Sequence, residues 1–137
     1  MKKKDCYYVN QHSCFMLQYH MVVVTKFRHP AIDDVIKQQL LDYTNNYFKE
    51  QKLNLIAINT DVDHMHILFE GYPNMNLSTF VNAYKSASSR FIRKNNADYL
   101  KQFYWKDFFW SNSYFIGTVS ERTEAIVTHY IQNQGKE

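Results

Sequence analysis

The spacing of apolar positions changes several times along the chain, and each change marks an element. Residues Phe15 to Thr25 alternate and are rich in Val, Phe and Tyr, the pattern of a strand. Pro30 breaks the chain. From Ile32 to Lys52 the positions Ile32, Val35, Ile36, Leu40, Tyr43, Tyr47 and Phe48 recur at helical spacing, with Asp33 and Asp34 in the first turn. Leu53 to Asn59 and His64 to Glu70 read as two strands around Thr60-Asp61-Val62-Asp63, followed by turn residues Gly71, Pro73 and Asn74. Leu77 to Asn95 predicts a second helix capped by Asn76 or Ser78, with Leu77, Phe80, Val81, Tyr84, Ala87, Ser88 and Phe91 on one stripe. Residues 96–106 carry no decisive period. Phe108 to Val119 predicts a fourth strand, and Ser120 caps a final helix reaching about Gln134. The order β-α-β-β-α-β-α predicts an α/β (α+β) fold: a ferredoxin-like, RRM-like β-α-β-β-α-β sandwich on an antiparallel sheet, with one extra C-terminal helix. No repeat or Gly/Ser/Pro-rich linker divides residues 1–137, which predicts a single domain.

Composition narrows the classes. Hydrophobic residues make up 45% of the 137 residues and charged residues 21%, which excludes a disordered chain. Aromatics reach 17%, more than such a core needs, so some rings are expected at a contact surface. The net charge of +3 allows a nucleic-acid patch without announcing one. The longest apolar run, Met21-Val22-Val23-Val24, is far too short to span a bilayer. Polar residues follow Lys2-Lys3-Lys4, so no signal peptide is expected there. Cys6 and Cys14 suggest neither a zinc site nor a disulfide framework. The expectation is a cytoplasmic protein.

Four constellations could carry chemistry. In Asp63-His64-Met65-His66, residues two apart on a strand share a face, so His64 and His66 project side by side, close enough to meet on one metal ion. Two surface histidines on a half-exposed strand are the plainer reading of such a pair. On the last helix, Tyr130 and Gln134 are one turn apart on one face, offering a phenol that can attack phosphorus and an amide oxygen suited to a hard cation. Tyr130 also belongs to an apolar stripe with Ile126, Val127 and Ile131, where a tyrosine is usually packing. The aromatic segment Trp105 to Val119 could stack bases of single-stranded nucleic acid, or could pack against a partner chain. On the second helix Arg93, Lys94, Ser86 and Ser89 form the polar side, with Lys85 and Arg90 nearby; this suits a phosphate backbone or merely a solvated face.

Taken together, the chain resembles the TnpA-type single-tyrosine transposases, the small HUH-motif enzymes of the IS200 group of bacterial insertion sequences. The resemblance runs from Tyr19-His20-Met21-Val22-Val23-Val24-Thr25-Lys26-Phe27-Arg28 through Asp63-His64-Met65-His66 and Lys85-Ser86 with Ser89-Arg90. It ends with Trp110-Ser111-Asn112-Ser113-Tyr114-Phe115-Ile116-Gly117-Thr118-Val119 and Tyr130-Ile131-Gln132-Asn133-Gln134. It implies that His64 and His66 are metal ligands, that Gln134 is the third protein ligand, and that Tyr130 is the nucleophile. It also implies Mg²⁺ or Mn²⁺ as cofactor, and cleavage and rejoining of single-stranded DNA through a 5′-phosphotyrosine. The DNA would carry subterminal hairpins; Lys85, Arg90, Arg93 and Lys94 on the basic side of the second helix are the candidate contacts. The partner would be a second copy, in a homodimer whose active sites take the tyrosine helix from the opposite subunit, within a bacterial or archaeal cell. Asp61 and Asp63 lie near the histidines and could orient an imidazole. Competing readings are a domesticated relative that processes palindromes and a non-catalytic hairpin-binding module. An RNA-recognition domain would place aromatics on the strand that here carries His64 and His66.

Overall fold

The computed structural model describes residues 2–4, 7–9, 14–119 and 123–134, with side chains over 15–119 and 128–133. The chain opens with strands β1 (Lys2–Lys4), β2 (Tyr7–Val9) and β3 (Cys14–Phe15), which form a small antiparallel sheet that the apolar pattern did not predict. The main sheet holds β4 (Gln18–Val24), β5 (Asn54–Thr60), β6 (His64–Glu70) and β7 (Phe115–Thr118) in the order β5-β6-β4-β7, each neighbour antiparallel. The helices are α1 (Asp34–Glu50), α2 (Leu77–Asn95), the short α3 (Ala97–Leu100) and α4 (Thr123–Gln134). This is the expected ferredoxin-like sandwich with its added C-terminal helix. No helix among the described residues is long and apolar enough to cross a membrane.

Local chemistry sets the boundaries. Asp33 lies just outside α1 and its carboxylate accepts from the Ile36 amide at 2.8 Å; Asn76 caps α2 by accepting from the Thr79 amide at 3.1 Å. One face of the sheet presents Met21, Val23, Met65, Ile67 and Phe69 to Ile36, Leu40 and Phe48 of α1 and to Val81, Tyr84 and Ile92 of α2. The opposite face carries Val22 and Val24, both fully buried, beneath Ile131 of α4. Because both faces of β4 are covered over its second half, Met21 to Val24 form a continuous buried apolar run, and the alternation expected over Phe15 to Thr25 does not hold there.

Three expectations need correction. The strand expected over Phe15 to Thr25 is broken at Met16-Leu17, where Leu17 turns its carbonyl to the Gly71 amide at 2.9 Å. The fourth strand is confined to Phe115–Thr118. Upstream of it only Trp110 forms a bridge, to Thr25, and Ser111 and Ser113 then bond each other while Phe109 and Trp110 turn into the core. High β-propensity at 108–114 reflects core packing there, not a ladder. Val35, placed on the apolar stripe of α1, is 59% exposed, and Thr44 takes the inward position. The Ser120 cap lies outside the described residues.

Candidate active site

β6 delivers the histidine pair as period two requires. Met65 and Ile67 are fully buried against the helices, while His64 and His66 face the other way with ring centres 4.8 Å apart. In register, His64 lies beside Val24 and His66 beside Val22, so the pair shares the sheet face that α4 covers.

Each imidazole is held by its Nδ1. His64 Nδ1 lies 2.7 Å from Asp63 Oδ1, and the other carboxylate oxygen accepts from Arg28 Nε at 2.9 Å. An ionised carboxylate only accepts, so His64 carries its proton on Nδ1 and leaves the Nε2 lone pair outward. His66 Nδ1 lies 3.0 Å from Nε2 of His20, a residue of β4 that spacing along β6 could not reveal. Burial is the first cause, and neighbouring His64 and His20 further causes, of the fall in the His66 pKa to about 4; burial also lowers that of His20. Both are therefore neutral near pH 7. Asp61 accepts from the Val62 amide at 2.7 Å, and its charge acts on His66 against burial, raising the pKa.

Tyr130 sits on α4 at the same face. Its hydroxyl is 3.2 Å from Ser113 Oγ, and its ring centre is 6.0 Å from that of Phe115. Phe115 in turn meets His20 edge-on at 6.5 Å, so a run of rings connects Tyr130 to the histidine pair. The Gln134 side chain lies outside the described residues. Among the described residues no group of three His, Cys, Asp or Glu side chains could hold a metal ion. The donors present, two imidazoles with free Nε2 edges, fit a divalent cation if another donor completes the set; imidazole favours Mn²⁺ over Mg²⁺.

The basic constellation of α2 divides. Arg90 and Arg93 line a groove of about 530 Å³ with Ser86 and Ser89, bordered by residues 107–112. Lys94 is exposed and does not line it. Lys85 also lines the groove but is only 8% exposed: it donates to the Ser113 carbonyl at 3.1 Å and lies 5.5 Å from the Tyr114 ring centre. The 111–114 turn displaces that carbonyl from a ladder, and Lys85 is drawn inward to satisfy it.

Comparison with known proteins places the chain in a family. Residues 13–134 match the family model described as "Transposase IS200 like". The chain is 32% identical over 122 residues to the ISDra2 transposase TnpA of Deinococcus radiodurans, covering 88% of this chain and 85% of that one. It is 27% identical over 126 residues to the transposase for insertion sequence element IS200 of Salmonella typhimurium, covering 92% and 82%. A crystal structure from Deinococcus radiodurans, described as that of a transposase, superposes with a TM-score of 0.85 at 32% identity, over 93% of this chain and 97% of that one. With the family pattern matched along nearly its whole length and the fold superposing, the chain belongs to the IS200-like transposases.

Proposed function

We propose that this transposase cleaves and rejoins single-stranded DNA at the ends of an insertion sequence by transesterification at Tyr130. The observation that carries the reading is the anchoring of both imidazoles by Nδ1, which leaves two Nε2 atoms for one ion on the face that also holds the tyrosine helix. His64 and His66 would hold a divalent cation, Mg²⁺ or Mn²⁺, with Gln134 as third ligand. When bound, such an ion supplies Lewis-acid polarisation of a phosphate oxygen.

The covalent chemistry falls to the chain itself. The Tyr130 hydroxyl gives up its proton as its oxygen attacks phosphorus, the bond from phosphorus to the 3′-oxygen breaks, and that oxygen departs and takes up one proton as a 3′-hydroxyl, so the step is proton-neutral. One phosphodiester is exchanged for another, so rejoining by a 3′-hydroxyl needs no nucleotide. Ser113 is placed to orient the phenol. Arg90 and Arg93, with the hydroxyls of Ser86 and Ser89, suit the phosphates of a subterminal hairpin. The working unit in this reading is a homodimer in a bacterial or archaeal cytoplasm.

The test uses labelled single-stranded DNA of the element ends, resolved on denaturing gels. Wild type with Mn²⁺ or Mg²⁺ should give a covalent protein–DNA band. EDTA, His64→Ala, His66→Ala and Tyr130→Phe should each abolish it while hairpin retention on filters persists. An adduct surviving in Tyr130→Phe would put the nucleophile on another of the 11 tyrosines; cleavage indifferent to EDTA would remove the metal.

A further inference from the structure

Beside the active site lies an aromatic surface that no step above uses. Among the described residues, Trp105 is 71% exposed, an unusual position for the side chain with the largest apolar area. Its ring stacks on Phe27, with centres 5.6 Å apart and planes 15° apart. Phe108 stands perpendicular to both, 5.5 Å from Trp105 and 6.0 Å from Phe27. Being nearly equidistant from the two, Phe108 braces the side of the stack and leaves the outer face of Trp105 open.

The backbone beneath is strained. Phe27 and Arg28 have φ values of 56° and 55°, a left-handed conformation uncommon for residues with side chains and concentrated at functional sites. This turn sets Phe27 under Trp105 and sends Arg28 to Asp63, which holds His64. Platform and metal-ligand candidate are thus positioned by the same two residues.

Charge points to the occupant. Lys26 Nζ lies 5.2 Å and 5.3 Å from the ring centres of Phe27 and Phe108. A hollow of about 230 Å³ alongside Trp105 is lined by Arg93, Lys101 and Lys106. Asp107 faces Arg93 at 3.8 Å and Asp98 faces Lys101 at 3.2 Å, but these carboxylates are 95% and 98% exposed, so both pairs are weak and easily exchanged for phosphate. Arg93, Asp107 and Phe108 also border the α2 groove, which makes the two surfaces continuous.

We propose that Trp105, backed by Phe27 and Phe108, is a stacking site for an unpaired base of single-stranded DNA, with Lys26, Arg93, Lys101 and Lys106 receiving the flanking phosphates. Only the choice of DNA as ligand rests on the function proposed above. Stacking reads no base identity, because every base has a π-face.

The test measures fluorescence anisotropy of labelled oligothymidylate, with a duplex of equal length as control, against wild type, Trp105→Ala and Trp105→Phe. Trp105→Ala should weaken oligothymidylate binding about ten-fold, Trp105→Phe should retain most affinity, and duplex binding should be unchanged in both. Unaltered oligothymidylate binding by a normally melting Trp105→Ala overturns the proposal. So does an equal loss on duplex, or a loss of dimer in sedimentation with DNA affinity intact, which marks a surface for a second copy. If wild type forms no covalent adduct yet Trp105→Ala loses oligothymidylate affinity selectively, the platform stands and the tyrosine chemistry falls.

Discussion

His20 reaches the Nδ1 edge of His66 from the neighbouring strand, and its partnership spans 46 residues of sequence. It illustrates what spacing along one strand conceals: the pair His64 and His66 was legible from period two, whereas the groups that orient them come from elsewhere. When His66 Nδ1 donates to His20, the Nε2 lone pair is turned outward for a ligand. His20→Phe keeps a ring against Phe115 but removes that acceptor. Its Mn²⁺ affinity by calorimetry should fall about 10- to 100-fold while hairpin affinity holds; equal Mn²⁺ affinity would leave His20 a packing residue. The same histidines set a pH dependence. His66 titrates at about 4 in the fold against an ordinary value near 6.5, and His20 is also lowered, so between those values the unfolded chain binds more protons. Their contribution to stability is complete above about pH 6.5 and is lost as pH falls toward about 4. Thermal melts in EDTA should decline over that window, modestly because both rings are partly solvated, and His66→Phe should decline less steeply than wild type.

Elements are legible in the sequence where the period of apolar residues and the residues that bound it agree. α2 and β6 begin and end where the sequence placed them, at Leu77–Asn95 and His64–Glu70. Sequence and structure diverge where one signal serves two purposes. Aromatic density at 108–114 signals strand and core equally, and only the tertiary demand for Phe109 and Trp110 beneath α2 separates them; Trp110 Nε1 donates to Ser88 Oγ at 2.9 Å. Thr44 is polar, yet it is buried where it meets Tyr84 of α2: the two hydroxyls are 2.6 Å apart. Burial raises the Tyr84 pKa well above its usual range, so the phenol stays neutral. Tyr84→Phe leaves Thr44 without that partner and should cost about 1–3 kcal/mol in urea unfolding, whereas adding Thr44→Val should recover most of the loss. If the double variant is as unstable as the sum of the singles, this bond does not join α1 to α2.

At the scale of the whole molecule, α4 of the single chain lies on its own sheet, with Ile131 over Val22 and Val24. The family resemblance calls instead for a tyrosine helix delivered to the opposite subunit. Mixing His64→Ala subunits with Tyr130→Phe subunits separates the two. With the helix docked in trans, one site of each heterodimer unites intact histidines with an intact tyrosine, and about half a dimer's cleavage returns; docked in cis, every site keeps a lesion. Persistent inactivity, with heterodimers verified by tag pull-down, would exclude the trans arrangement for cleavage. The two-sided burial of β4 also divides the molecule into layers of unequal hold. Its Met21 and Val23 are locked into the cluster that includes α1 and α2, while Val22 and Val24 share a far smaller one with Ile131 among the described residues. A charge at Met21 or Val23 strikes the whole fold, but a charge at Val22 or Val24 strikes first at the seat of α4. Adjacent positions on one strand therefore fail in different ways, one by unfolding the protein and the next by unseating the helix that carries the nucleophile.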